Sequence, residues 1–442
     1  MRYFPHTDAD IDEMLAVVGA KSVDELFDAI PRECLRRTAD DLPEALTEWE
    51  LTRRLEEMAA AGGGDWKVFL GAGSQPHHIP AIVPQLAGRS EFLTAYTPYQ
   101  PEVSQGTLQA IFEFQTLISR LTGMAVTNAS MYDGATAMAE AVLMALRTTK
   151  RRRVVMSKLV HPHWREVLAT YLEPMADVDV VLLPALPDGR TDFAPLAAME
   201  EPAVLVAQSP NFLGAIEDLA AAAGAVHAAG GLMAAGFSEP FALGLMRSPG
   251  QSGADIVFGE GQSLGLAQSF GGPGLGLLST RQEHMRQIPG RLVGETTDNR
   301  GQRGFVLTLS TREQHIRRGK AVSNICSNAG HCALTAAVFM AALGGSGFRK
   351  VAQVNLDLAT YFRNGLIERG FKPLGATPFF NEFTLIAPNG FAARHAELRA
   401  RRILAGMSLA DAYPEFENAW LFGVTETSSK EDIDNLLTEM GK

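Results

Sequence analysis

The apolar positions of the chain fall into three successive patterns. Residues 1 to about 60 read as helices: Ser22-Val23-Asp24-Glu25 predicts a capping box at a helix start, and Gly62-Gly63-Gly64 ends this arm. Between Gly106 and Leu121, the positions Leu108, Ile111, Phe114, Ile118 and Leu121 recur at helical spacing, and Gly123 supplies the stop. Short apolar runs then alternate with helical patterns. Strands are expected at 125–128, 154–157, 178–183, 204–208, 232–236 and 256–259, with helices such as 134–146 and 215–229 between several of them. Continuous apolar strands separated by helices predict a mostly parallel sheet covered on both faces. Beyond Arg317 comes a long helical stretch to Met340, then two short strands, 383–387 and 420–424, among helices. The expected organisation is an N-terminal helical arm (1–64), a large α/β domain (65–317) and a smaller C-terminal α+β domain (318–442).

With 442 residues, 46% of them hydrophobic and 20% charged, the chain can bury a sizeable core, which excludes a disordered or fibrous protein. Its net charge of −11 argues against non-specific binding to nucleic acid or anionic membrane. The basic run Lys150-Arg151-Arg152-Arg153 follows a helical pattern and reads as compensation of a helix C-terminal dipole. Cys34, Cys326 and Cys332 show neither disulfide-framework density nor Cys-x-x-Cys spacing, so they are expected to be reduced and mostly buried, as in a cytoplasmic protein. Acids occupy the N-terminus where a signal peptide needs a basic and then an apolar run. The apolar stretch 333–343 is shorter than the ~18 residues of a membrane span.

Several motifs are read by exclusion. The glycine turns Gly71-Ala72-Gly73, Gly344-Gly345-Ser346-Gly347 and Gly271-Gly272-Pro273-Gly274-Leu275-Gly276 do not make a GxGxxG between strand and helix, and no GxxxxGK[ST] occurs. His161-Pro162-His163 has no cysteine or carboxylate cluster to complete a zinc set, so a helix-start or stacking role is expected. The run from Arg312 to Arg318 reads as a solvated charged helix face. The segment Asn128-Ala129-Ser130-Met131-Tyr132-Asp133-Gly134-Ala135-Thr136 follows a strand and opens a strong helix. Its exposed backbone N–H groups form a ready phosphate cradle, and equally a plain strand-to-helix turn.

Longer segments carry a resemblance. FLGAGSQPHHIPAIVPQL, TAYTPYQPEVSQGTLQAIFEFQTLISRLTGMAVTNASMYDGATAMAEA, DIVFGEGQSLGLAQSFGGPGLG, GRLVGETTDNRGQRGFVLTLSTREQHIRR and NICSN resemble the P-protein of the glycine cleavage system, from the N-terminus to the end. The length is similar to that of the split form, in which two half-length chains replace one long chain, and the resemblance is to subunit 1, the N-terminal half. It implies the fold type I architecture of pyridoxal-phosphate (PLP) enzymes, which agrees with the alternating pattern.

A PLP enzyme of that fold needs a lysine before the glycine-rich segment and an acid for the ring nitrogen, because protonation there makes the ring an electron sink. No lysine lies between Lys158 and Lys320. Gln262, in Gly261-Gln262-Ser263, stands where the lysine is expected, and Gly231-Leu232-Met233-Ala234-Ala235-Gly236 brings no acid. The resemblance therefore implies that PLP is bound by the partner, subunit 2, at a shared active site of a heterotetramer. Glycine is decarboxylated there and its aminomethyl group passed to the lipoyl arm of the H-protein. From this chain, the expected catalytic contributors are Tyr96, Tyr99 and Glu102, in the proline-stiffened segment Tyr96-Thr97-Pro98-Tyr99-Gln100-Pro101-Glu102. The GQSLG and NASMYDGAT segments read mainly as inherited scaffold. The alternatives are an autonomous PLP enzyme using Lys158 or Lys320, and a non-catalytic scaffold or regulatory paralogue.

Overall fold

The structure, a computed structural model, describes residues 5–35, 42–62, 66–94 and 96–440. The chain forms two compact units, Met1–Gly64 and Asp65–Lys442. In the first, the helices Asp8–Val18 and Glu48–Ala61 each open on a capping box, Thr7 with Asp10 and Thr47 with Glu50. The box expected at Ser22–Glu25 is different: Ser22 Oγ accepts from Glu25 N, but the Glu25 carboxylate accepts from Lys21 N, and only a 3-10 turn, Asp24–Phe27, follows. Among the described residues of this unit Leu15 alone is buried.

The second unit is built on a seven-stranded sheet. Its order is Val126–Thr127, Gly276–Thr280, Ile256–Glu260, Leu232–Phe237, Pro202–Gln208, Arg153–Ser157, Asp179–Leu183, and only Gly276–Thr280 runs antiparallel to its neighbours. Alternate residues on these strands enter opposite cores, as pleat geometry requires. Val155, Leu205, Met233 and Val257 pack with the helices Gln105–Thr122, Leu219–Ala228 and Gly330–Ile367. Val154, Val204, Ala234 and Ile256 pack with Gly134–Thr149 and Pro162–Leu172. A four-stranded antiparallel sheet, ordered Lys372–Pro373, Glu382–Ile386, Ala419–Gly423, Met407–Ser408, gathers Phe362, Phe383 and Phe422 into a separate aromatic core.

Several expectations need correction. The strand Gly276–Thr280 and the hairpin Leu292–Thr297 with Arg303–Thr308 were not expected from the apolar pattern. The long helical stretch continues to Ile367, which makes Gly330–Ile367 long and apolar enough, by length and composition alone, to cross a membrane. Gly344, with φ 59° and ψ 173°, breaks it in two, and its apolar side chains (Ala333, Ala336, Phe339, Ala352, Phe362) are buried in two cores. The basic run does more than offset a helix dipole. Arg151 donates to the carbonyls of Pro202 and Ala229, while Arg152 and Arg153 pair with Asp177 and Asp179. Cys332 is buried, but Cys34 and Cys326 are exposed, because they lie in a short turn and a loop rather than on core-facing positions. In the Arg312–Arg318 run, Arg312 and Glu313 are buried. Arg312 donates to the carbonyls of Ile288, Gly290 and Leu309, and helix covers only Gln314–Arg317.

Candidate active site

The residues singled out from the sequence fall in two neighbouring places. The first is the turn after the strand Ile256–Glu260. Gln262 donates from its side-chain Nε2 to Leu266 O at 2.7 Å, and its Oε1 accepts from Gln75 N at 3.2 Å. Ser263 Oγ donates to Glu239 at 2.9 Å. Glu239 in turn takes Nε2 of His77 at 3.0 Å, and Glu426 takes Nδ1 at 2.9 Å. Burial opposes charge on His77, but the two carboxylates on its ring nitrogens win and raise its pKa to about 10, so it is an imidazolium at neutral pH. His161, expected at a helix start, caps Pro162–Leu172: its Nδ1 accepts from His163 N while Nε2 meets Ala72 O at 3.0 Å. It stacks on Trp164, and burial lowers its pKa to about 4, which keeps it neutral.

The phosphate cradle of the sequence reading exists as a helix N-terminus. Asp133 caps it by accepting from Thr136 N at 2.8 Å. Gly134 N, however, donates to Glu260 Oε2 at 2.8 Å, and Glu260 Oε1 accepts from Gln262 N at 2.9 Å and Leu275 N at 3.1 Å. Burial pushes Glu260 up to about 7 against the pull of these three donors. PLP does not fit this arrangement. Gln262 offers no amine, Ala234 and Ala235 stand on the strand expected to carry the acid, and a carboxylate already holds the N–H that a phosphate needs. The lysines of the rival reading lie elsewhere: Lys158 is paired with Glu415 at 2.5 Å, and Lys320 is in an exposed turn.

The second place is the proline-stiffened segment. Its centre is anchored from below by Arg291, a buried arginine at the entrance of the hairpin that the sequence reading did not single out. Arg291 Nη2 donates to Tyr99 Oη at 2.8 Å and Nη1 to Thr97 Oγ1 at 3.3 Å, while Glu313 supplies the countercharge at 3.4 Å. Tyr96 is 87% exposed and lines a cavity of about 770 Å³ with Tyr132, Asp133, Gly274, Arg291 and His331. Tyr99 is 54% exposed and Glu102 is exposed on the turn before the helix Gln105–Thr122. The structure thus brings Tyr96 and the Arg291 that holds Tyr99 to one cavity, leaves Glu102 at the surface, and places Gln262 in the other turn. The two places share a wall: Asp133 faces the cavity, and a Cβ on Gly274 would lie 3.0 Å from its Cβ. The signal for Arg291 was its place in the GRLVGETTDNRGQRG segment, where an arginine precedes two core residues, Leu292 and Val293.

Comparison with known proteins gives the family. The family model described as Glycine cleavage system P-protein matches residues 1–440. A Desulfotalea psychrophila protein named probable glycine dehydrogenase (decarboxylating) subunit 1 is 51% identical over 100% of this chain and 99% of its own length. A Citrifermentans bemidjiense protein of the same name is 49% identical over 99% of this chain and 98% of its own. A crystal structure titled glycine decarboxylase (P-protein) of the glycine cleavage system, in inhibitor-bound form, superposes with a TM-score of 0.92 at 47% identity, covering 100% of this chain and 99% of that one. A cysteine desulfurase from Thermococcus onnurineus, 13% identical with a TM-score of 0.62 over 90% of this chain and 98% of its own, shares the fold alone, that of fold type I PLP enzymes. The chain belongs to the glycine cleavage system P-protein family.

Proposed function

We propose that this chain is the cofactor-free half of a two-chain glycine decarboxylase. In this reading subunit 2 holds PLP, the complex removes CO₂ from glycine, and the aminomethyl group passes to the lipoyl arm of the H-protein. The observation that carries it is the conjunction of a full-length match to chains named subunit 1 with a cofactor turn closed by Gln262 and Glu260. PLP, when bound by the partner, supplies the electron sink for loss of CO₂. This chain's own contribution is the segment around Tyr96. Tyr96 and Tyr99 present hydroxyls able to hydrogen-bond a carboxylate, and Glu102 a carboxylate able to hold an amine or move a proton. Arg291 fixes Tyr99 and Thr97 in place from the buried side. The apolar surface of the 1–64 unit, including Trp49, Leu51, Leu55 and Met58, is the kind that an obligate partner covers. The same reading pairs two copies of each chain in the cytoplasm.

Reconstitution tests it. Each chain is purified alone and mixed, with lipoylated H-protein, and glycine–CO₂ exchange is followed. The expected result is activity in the mixture only, with PLP attached to a lysine of the partner. Full activity of either chain alone overturns the two-chain reading.

A further inference from the structure

Helix N-termini attract anions because their first N–H groups lack backbone acceptors and the helix dipole adds positive potential. At the N-terminus of Gly134–Thr149 two of the first three N–H groups are already taken from within the chain. Asp133 takes Thr136 N, and Glu260, from the end of the adjacent strand, takes Gly134 N. The same Glu260 carboxyl group ties in Gln262 N and Leu275 N, so one side chain holds together three backbone segments: the helix start, the turn at 262, and the end of the glycine-rich segment. Space is also taken. A Cβ on Gly134 would lie 2.5 Å from the Trp164 ring and 3.1 Å from Glu260 Cβ, and one on Gly276 would lie 2.4 Å from Asp133 O.

We propose that Glu260 is an internal stand-in for a cofactor phosphate: it occupies the anion seat of Gly134, and this chain refuses PLP because of that occupation as well as because it lacks a lysine. The proposal deepens the reading above and rests on it, in that the cofactor belongs to the partner. It explains how the helix start and the turns around it remain ordered without a bound phosphate to order them. It also separates two barriers. Gln262 removes the covalent attachment, whereas Glu260 removes the non-covalent seat, and an incoming dianion would face the carboxylates of Glu260 and Asp133 together.

The test uses the full chain in wild-type form and as Gln262→Lys, Glu260→Gly, Glu260→Ser and Gln262→Lys/Glu260→Gly. Inorganic phosphate is the first probe, read by melting temperature. It should raise the melting temperature of the two Glu260 single variants by a few degrees and leave the wild type unmoved, since only a ligand that binds the native state stabilises it. PLP followed by borohydride and mass mapping is the second. Gln262→Lys alone should be labelled at position 262 only at background, and the double variant stoichiometrically, because an amine reacts once the phosphate is seated beside it. Equal labelling of Gln262→Lys and the double variant overturns the proposal. So does the absence of any phosphate effect on whichever of Glu260→Gly and Glu260→Ser folds. Stoichiometric PLP on one lysine of the folded wild type defeats the underlying reading instead, so the two failures are distinguishable.

Discussion

Arg291 and Tyr99 are joined twice, by a 2.8 Å hydrogen bond from the guanidinium to the phenol oxygen and by the approach of the guanidinium carbon to 5.0 Å from the ring centroid. A buried cation thus reaches up to a half-exposed ring, and its cost of burial is offset by Glu313 at 3.4 Å. Guanidinium suits this place because one planar group can serve several acceptors in a fixed geometry.

Arg291→Lys keeps the charge but cannot serve Thr97, Tyr99 and Glu313 together. In the reconstituted complex it should lower glycine–CO₂ exchange by about 10–10²-fold, in line with the loss of a positioning contact, while the melting temperature of the chain stays close to wild type. Arg291→Gln leaves Glu313 buried without its countercharge and should cost about 3–5 kcal/mol of stability. Urea unfolding of both variants beside the exchange assay separates positioning from folding. Equal exchange rates in wild type and Arg291→Lys contradict the positioning role.

His77 gives a pH signature. Its pKa is about 10 in the fold against 6.5 ordinarily, because Glu239 and Glu426 hold its charged form. A group whose pKa rises on folding stabilises fully below the unfolded value and loses that contribution as pH climbs through the folded value. Stability should therefore fall between about pH 6.5 and 10, with a slope from this group approaching about 1.4 kcal/mol per pH unit. In His77→Gln that slope should vanish, and the variant should be weaker than wild type at pH 6 by more than at pH 10. Parallel pH profiles of the two proteins would refute the assignment.

How far the sequence could be read follows from the range of its signals. The helix Gln105–Thr122 was expected at 106–121 because Leu108, Phe114 and Ile118 repeat on one face and Gly123 adopts the left-handed stop. The central parallel strands were legible because both of their faces are buried, as at Pro202–Gln208, which leaves a continuous apolar run. Gly276–Thr280 escaped because it begins within a glycine-rich segment that reads as a turn, and one of its two partners in the sheet, Val126–Thr127, lies more than a hundred residues away. The Gly344-Gly345-Ser346-Gly347 turn was legible as a break, but not that helix continues on its far side. Of the site, the absence of any lysine between Lys158 and Lys320 was plain in the sequence. The bonds of His77 to Glu239 and Glu426 were not, since they span 162 and 349 residues and leave no local pattern.

Gly214 joins the loop after Pro202–Gln208 to the small sheet, and its backbone permits no side chain. Its φ is 82°, and a Cβ would lie 2.4 Å from the carbonyl oxygen of Glu382 and 3.0 Å from the Cα of Phe383. Gly214→Ala combines the left-handed penalty with overpacking against backbone that cannot yield, about 2–4 kcal/mol together. The urea midpoint should drop while the slope of the transition stays the same. A midpoint equal to wild type would mean that the small sheet moves freely relative to this loop.

The segment from Tyr96 to Glu102 decides whether this chain takes part in chemistry or only supports its partner. Tyr96→Phe, Tyr99→Phe and Glu102→Gln nearly conserve size, so each removes a hydroxyl or a charge and little packing. Tyr96 is open to the cavity and makes the sharpest test, because its hydroxyl has the least structural work to lose. Tyr99→Phe keeps the ring beside Arg291 but removes the 2.8 Å bond, so it should loosen the loop as well as delete a donor. Loss of one hydrogen-bonding or proton-transfer group that touches substrate commonly slows a reaction ~10²–10⁴-fold. That loss is the expected effect on glycine–CO₂ exchange for Tyr96→Phe, at unchanged affinity between the chains and unchanged PLP content of the complex. A purely structural segment would show the reverse pattern, weaker assembly with near-normal exchange at saturating partner. If all three variants assemble normally and exchange at the wild-type rate, the segment is packing alone and the chemistry belongs wholly to the other chain.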